Sequence, residues 1–234
     1  ASPATPTAAA PPVPPAQSTP LGQQAPLFGP PWGDRTAYRT GLAAGELPAL
    51  DALGPLSEYR IDLRIADSLT AVQGRQQVRY TNREPVDLTE IYLRLFPNAL
   101  GGDMAVSAVA VDGQVVAAEA RFSGTALLVT LPSPLAPGAS TVIDLTYRIT
   151  VPETLDAGYG LLSFTDGILA LDTPYAAIPV YDDEGWNVEE PPANADTSYY
   201  DVSLYLVRVT APSGLALAAA GVEIDRTIAG DMQT

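Results

Sequence analysis

The most regular pattern along the chain begins at Tyr59, where YRIDLRI sets Tyr59, Ile61, Leu63 and Ile65 against Arg60, Asp62 and Arg64. Apolar and polar residues alternating with a period of two predict a half-buried β-strand. Comparable runs over 76–80, 90–96, 106–111, 126–131, 141–151, 168–171, 199–211 and 215–220 continue the series. Asp112-Gly113 and Asp166-Gly167 carry the chemistry of two-residue hairpin turns, whose central positions need φ above zero. The stretch PSPLAPG, 132–138, is predicted to be a proline-stiffened loop. Many short strands with no long helix between them predict an all-β domain over 58–234, an antiparallel, curved sandwich or saddle-like fold.

Upstream the period changes. In DRTAYRTGLAAGELPALDAL, 34–53, Tyr38, Leu42, Leu47 and Leu50 fall loosely on one helical face, and Asp34 stands at an N-cap position. Gly41, Gly45 and Pro48 restrict this to short segments, so 32–57 is predicted to be a helical lead-in. Residues 1–31 hold ten of the 23 prolines and almost no charge or large apolar side chains. Such a composition buries too little surface to offset ordering entropy, which predicts a disordered, partly polyproline tether. No stretch is apolar enough to span a membrane, and the start lacks the layout of a signal peptide. Tethers of this kind separate a lipid-anchored bacterial N-terminus from a folded domain. The expected location is therefore extracytoplasmic, periplasmic or cell-surface, with membrane contact only through an N-terminal lipid anchor.

Charge and composition remove whole classes of chemistry. The net charge is −15, with 12 cations against 27 acids, every cation being Arg. Nucleic acid is excluded as a partner because phosphate binding needs a positive footprint. Cysteine and histidine are both absent. That leaves no disulfide, no thiolate nucleophile, no Cys/His zinc site and no His-based triad. Asp172-Thr173-Pro174 resembles an aspartic-protease signature only superficially, since proline replaces the glycine and there is no second copy.

The chemistry-bearing candidates cluster late in the chain. IPVYDDEGWNVEEPPANAD, 178–196, holds six carboxylates and Trp186. Asp182, Asp183 and Glu184 form a candidate calcium site, although consecutive residues on an extended chain diverge and the alternate-residue ligand spacing of a calcium loop is missing. The competing reading is a solvated acidic turn ending at Gly185, anchored by Trp186 and left through Pro191-Pro192. Glu189 and Glu190 diverge too strongly for a glycosidase pair. Trp32, Trp186, Tyr175, Tyr181, Tyr199 and Tyr200 are candidates for a sugar-stacking platform, against the plainer reading of core and hairpin packing.

Taken in order, YRIDLRI, VQGRQQVRYTNRE, EIYLRLFPN, LPSPLAPG with VIDLTYRITVP, AGYG, YAAIPVYDDEGW and YYDVSLYLVRVTAPSGLALAAAG resemble one family. They are similar to the N-terminal domain of zinc aminopeptidases of the aminopeptidase N and leukotriene hydrolase type, over about 34–233, and most like exported, lipoprotein-style bacterial members. The resemblance implies a saddle-shaped, non-catalytic β-domain that frames the active-site cleft of a separate catalytic domain. That domain carries His-Glu-x-x-His and the zinc, so no cofactor is expected in this chain and zinc only in the parent. The implied partners are the downstream catalytic domain and the N-terminus of a peptide substrate. The resemblance places the residue that meets the substrate amine at about 170–172, where only Asp172 is acidic. The rival expectation is a free-standing cell-surface β-sandwich for adhesion or carbohydrate binding.

Overall fold

The computed structural model describes residues 26–156, 158–190 and 199–234. Most of the expected tether, 1–25, and the Pro191-Pro192 exit lie outside them. The lead-in folds as α1 (Thr36–Arg39), a 3-10 turn at Ala44–Glu46 and α2 (Leu47–Ala52). Asp34 Oδ1 accepts the Thr36 N–H at 2.9 Å, and the hydrogen bonds from Thr36 hold its carboxyl below the usual range. Arg35 donates to the carbonyls of Leu50, Leu53 and Gly54. These carbonyls lie at and just past the C-terminal end of α2, where helical carbonyls run short of N–H donors.

From there the chain is strand after strand. The elements are β1 (Ser57–Ile65), β2 (Ala71–Thr81), β3 (Leu88–Arg94), the one-turn α3 (Phe96–Ala99), β4 (Asp103–Val111), β5 (Gln114–Val115), β6 (Ala118–Arg121), β7 (Ala126–Leu135) and β8 (Ser140–Thr150). They continue with β9 (Leu162–Thr165), β10 (Ile168–Leu171), β11 (Tyr181–Asp182), β12 (Gly185–Trp186), β13 (Ser203–Pro212), β14 (Ile228–Ala229) and β15 (Met232–Gln233). Eight form one sheet in the order β14-β15-β13-β1-β2-β8-β4-β5, and β3-β7-β6 form a second; β9-β10 and β11-β12 are separate hairpins. Both hairpin dipeptides act as expected, with φ of 49° at Asp112, 80° at Gly113, 53° at Asp166 and 79° at Gly167.

The inner face of the large sheet is the apolar phase of its strands. Tyr59, Ile61 and Leu63 stand opposite Val78, Gln76 and Gly74, which stand opposite Ile143, Leu145 and Tyr147. This face packs on Ile91, Leu93, Leu127 and Val129 of the small sheet, all buried in one core. Each fully buried aliphatic side chain contributes roughly 1.5–3 kcal/mol. The opposite face carries ion pairs such as Arg75–Asp144 at 2.8 Å and Arg79–Glu58 at 3.4 Å.

The antiparallel all-β expectation holds with one addition, and three local expectations need correction. The sheets are antiparallel except for β1 and β13, which pair in parallel over Ser57↔Ser203 to Arg64↔Thr210. A long excursion separates these strands, and a crossover of that length permits parallel pairing. No strand forms at 215–220. Leu215 and Leu217 do pack on the core, but the Leu215 carbonyl accepts from the Gln233 side chain at 2.7 Å, so the alternation reports burial without a ladder. The loop at 132–138 is shorter than expected, because β7 runs on to Leu135. Pro132 and Pro134 sit where the β3–β7 register slips between Leu88 and Glu90, an irregularity that tolerates a missing N–H. Finally, Glu58 and Arg60 are buried although they lie on the polar phase of β1. Arg60 stacks on Trp32 at 3.8 Å and donates to the Pro31 carbonyl at 3.1 Å, while Arg75 stacks on Phe28 at 4.5 Å. The stretch 28–32 therefore runs across the outer face of β1 and β2.

Candidate functional site

The segment from Asp172 to Tyr181 links the β9–β10 hairpin to the acidic turn by passing between the two sheets, where a backbone without partners would be costly. Side chains from three adjacent strands supply those partners. Tyr147 of β8 donates its hydroxyl to the Pro174 carbonyl at 3.0 Å. Gln76 of β2, fully buried, donates Nε2 to the Ala176 carbonyl at 2.7 Å and accepts the Ala176 N–H on Oε1 at 3.0 Å. Tyr59 of β1 accepts the Ile178 N–H on its hydroxyl at 2.9 Å. On the other side Ala177 exchanges both backbone hydrogen bonds with Arg94 at the end of β3, at 2.6 and 3.0 Å. Tyr147 reaches its partner by lying over Gly74, where no Cβ stands in the way.

Asp172 is the first residue of this segment, half-buried just beyond β10. Its N–H donates to the Leu161 carbonyl at 2.9 Å, and its Oδ1 accepts from the Thr173 hydroxyl at 3.3 Å. Thr173 is buried and has φ of 43°. A β-branched residue in the left-handed region is strained, and such strain persists only where the surroundings enforce it. The tethered stretch 174–178 is what enforces it here. Leu155, Tyr159 and Leu161 are exposed; Leu155 packs beside Gly160, and Tyr159 holds φ of 56° between two glycines.

The acidic cluster resolves into a tight hairpin. Tyr181 pairs with Trp186 and Asp182 with Gly185, with Asp183 and Glu184 exposed at the tip. Both oxygens of Asp182 are engaged: Oδ2 accepts from Asn187 Nδ2 at 2.8 Å and Oδ1 from the Glu184 N–H at 2.9 Å. These bonds, Asn187's first, hold its carboxyl below the usual range. Among the described residues, no three His, Cys, Asp or Glu side chains converge as a metal site. Glu189 offers Arg94 its backbone carbonyl, at 2.7 Å. Burial pulls the Arg94 guanidinium down from its usual range, against the charges of Glu189 and Glu190; both glutamates are exposed.

Most of the candidate platform aromatics pack against other side chains. Trp32 lies under Arg60, Tyr175 sits 5.7 Å from Tyr59 and 5.6 Å from Tyr205, and Tyr200 is 5.9 Å from Phe96. Trp186 meets Tyr181 edge-on at 5.1 Å and Tyr80 at 5.9 Å. Tyr199 is exposed. Tyr181 and Trp186 also line an open groove of about 340 Å³ with Tyr92, Asp87 and Glu90.

No protein-family model matches the sequence, and no curated protein matches it. Solved structures do. A point mutant of the M1 zinc metallopeptidase from Deinococcus radiodurans superposes with a TM-score of 0.52 at 23% identity, over 76% of this chain and 37% of that one. The fold is shared with M1 zinc metallopeptidases. The unmutated protein from the same organism gives a TM-score of 0.49 at 22% identity with the same coverage. The chain thus spans little more than a third of the metallopeptidase it matches. No cluster of its described residues suits the zinc of these neighbours.

The resemblance pointed to Asp172, and the structure sets it at the start of the inter-sheet segment, just beyond β10. Gln76 was missed. The available signal was its polar side chain in the core phase of β2, between Val72 and Val78.

Proposed function

We propose that the chain is the N-terminal, non-catalytic domain of an extracytoplasmic zinc aminopeptidase, held to the membrane through its tether by an N-terminal lipid anchor. The carrying observation is the fold shared with an M1 zinc metallopeptidase of which the chain covers 37%. The zinc and the residues that activate water belong to the remaining part of the parent, and the domain's role is to frame the cleft. Asp172 receives the ammonium group of the substrate's first residue. A half-buried carboxylate at the end of a constrained segment suits this, because it adds charge complementarity and orientation with little reorganisation.

The test is hydrolysis of aminoacyl chromogenic substrates by the full-length protein with zinc, beside its Asp172→Asn variant. Turnover that chelation abolishes, with KM raised about ten- to hundredfold by Asp172→Asn for a lost charge-assisted contact of roughly 1.5–3 kcal/mol, supports the reading. A full-length protein inactive on every free-amine substrate, or an Asp172→Asn variant with unchanged KM, overturns it.

A further inference from the structure

We propose that Gln76 is a positioning residue for Asp172, acting through the backbone of 174–176. The inference rests on the amine-binding role given to Asp172 above. Gln76 is the only one of the three anchoring side chains described here that satisfies both polar groups of one residue, at 2.7 and 3.0 Å on Ala176. Its strand neighbours opposite are Ile61 and Leu145, and it is fully buried, so no water substitutes for it. A chain held this way keeps one register against β2. Ala176 lies four residues beyond Asp172, and the intervening turn is tight: the Tyr175 N–H donates to the Thr173 carbonyl at 2.8 Å, with Thr173 at φ 43°. That turn transmits the position of Ala176 to Asp172. Tyr147 acts alongside, fixing Pro174 at 3.0 Å.

The test uses the full-length protein with Gln76→Leu, Tyr147→Phe, Asp172→Asn and the double variant Gln76→Leu with Asp172→Asn. Tyr147→Phe keeps the ring over Gly74 and removes only the bond to Pro174, so it carries the test if Gln76→Leu does not fold. The expected result for Gln76→Leu is a KM about tenfold higher with kcat nearly unchanged, inside the roughly hundredfold that a 1 Å misplacement costs. Preference for an α-amino competitive inhibitor over its des-amino analogue should fall in parallel. Adding Gln76→Leu to Asp172→Asn should raise KM no further, because residues acting through one contact are not additive. If Asp172→Asn raises KM while Gln76→Leu and Tyr147→Phe do not, the positioning role is overturned and the role of Asp172 stands. Full additivity in the double variant also overturns it. An unchanged KM in Asp172→Asn overturns both.

Discussion

Gly74→Ala isolates one close approach on which the inter-sheet segment depends. A Cβ at Gly74 would stand 2.1 Å from Tyr147 Cε2 and 2.2 Å from Cζ, and Tyr147, only 4% exposed, has little room to retreat. Overpacking of this kind costs about 1–3 kcal/mol. Moving the ring also strains or breaks the bond to the Pro174 carbonyl, worth roughly 0.5–1.5 kcal/mol. Against this, replacing Gly narrows the unfolded ensemble and returns about 0.4–1 kcal/mol. The net loss is about 2 kcal/mol, which for a domain of this size lowers Tm by roughly 4–8 °C. Urea denaturation of the chain should show a lower midpoint with an unchanged slope. The decisive comparison is a Tyr147→Leu background, where the ring is gone and Gly74→Ala should become neutral or stabilising. Equal destabilisation in both backgrounds would refute the argument.

Other outcomes follow from particular contacts. Burial pushes up the phenols of Tyr38, Tyr59, Tyr80, Tyr147 and Tyr175, Tyr38 to about 12. The unfolded chain ionises them near 10, so their contribution is intact below about pH 10 and is lost as pH rises through the folded values, which paired tyrosinate absorbance and circular dichroism would follow. Asp182 has the opposite sign: its depressed carboxyl favours the folded state above about pH 3.9, and this is lost as pH falls through its folded value. Asn187→Ala should move its titration upward in a carboxyl-resolved NMR experiment. Because both Asp182 oxygens are engaged, added calcium should leave Tm unmoved; a rise of several degrees at millimolar calcium would restore the calcium reading. Trp32→Ala removes the ring beneath Arg60 and should cost about 1–2 kcal/mol, with faster proteolytic cleavage before Thr36.

Much of the fold was legible because strand periodicity and turn chemistry are local. Tyr59, Ile61, Leu63 and Ile65 face the core as their alternation requires, and the two Asp-Gly pairs turn where they should. The failures have one cause: alternation records which side chains are buried, not what covers them or which backbone pairs with which. It placed a strand at 215–220, where side chains alone meet the core, and left Arg60 solvated, where Trp32 covers it.

The same division holds for the site. By itself the sequence determined the all-β class and the absence of His and Cys, since composition and short-range spacing need no third dimension; Asp172 came from the family resemblance alone. Only the tertiary structure decided that Asp182 is spent on its own hairpin, and that Gln76, Tyr59 and Tyr147 converge on one segment. Gln76 and Ala176 are 100 residues apart, and a contact that distant is set by sheet order and register, which no local pattern encodes.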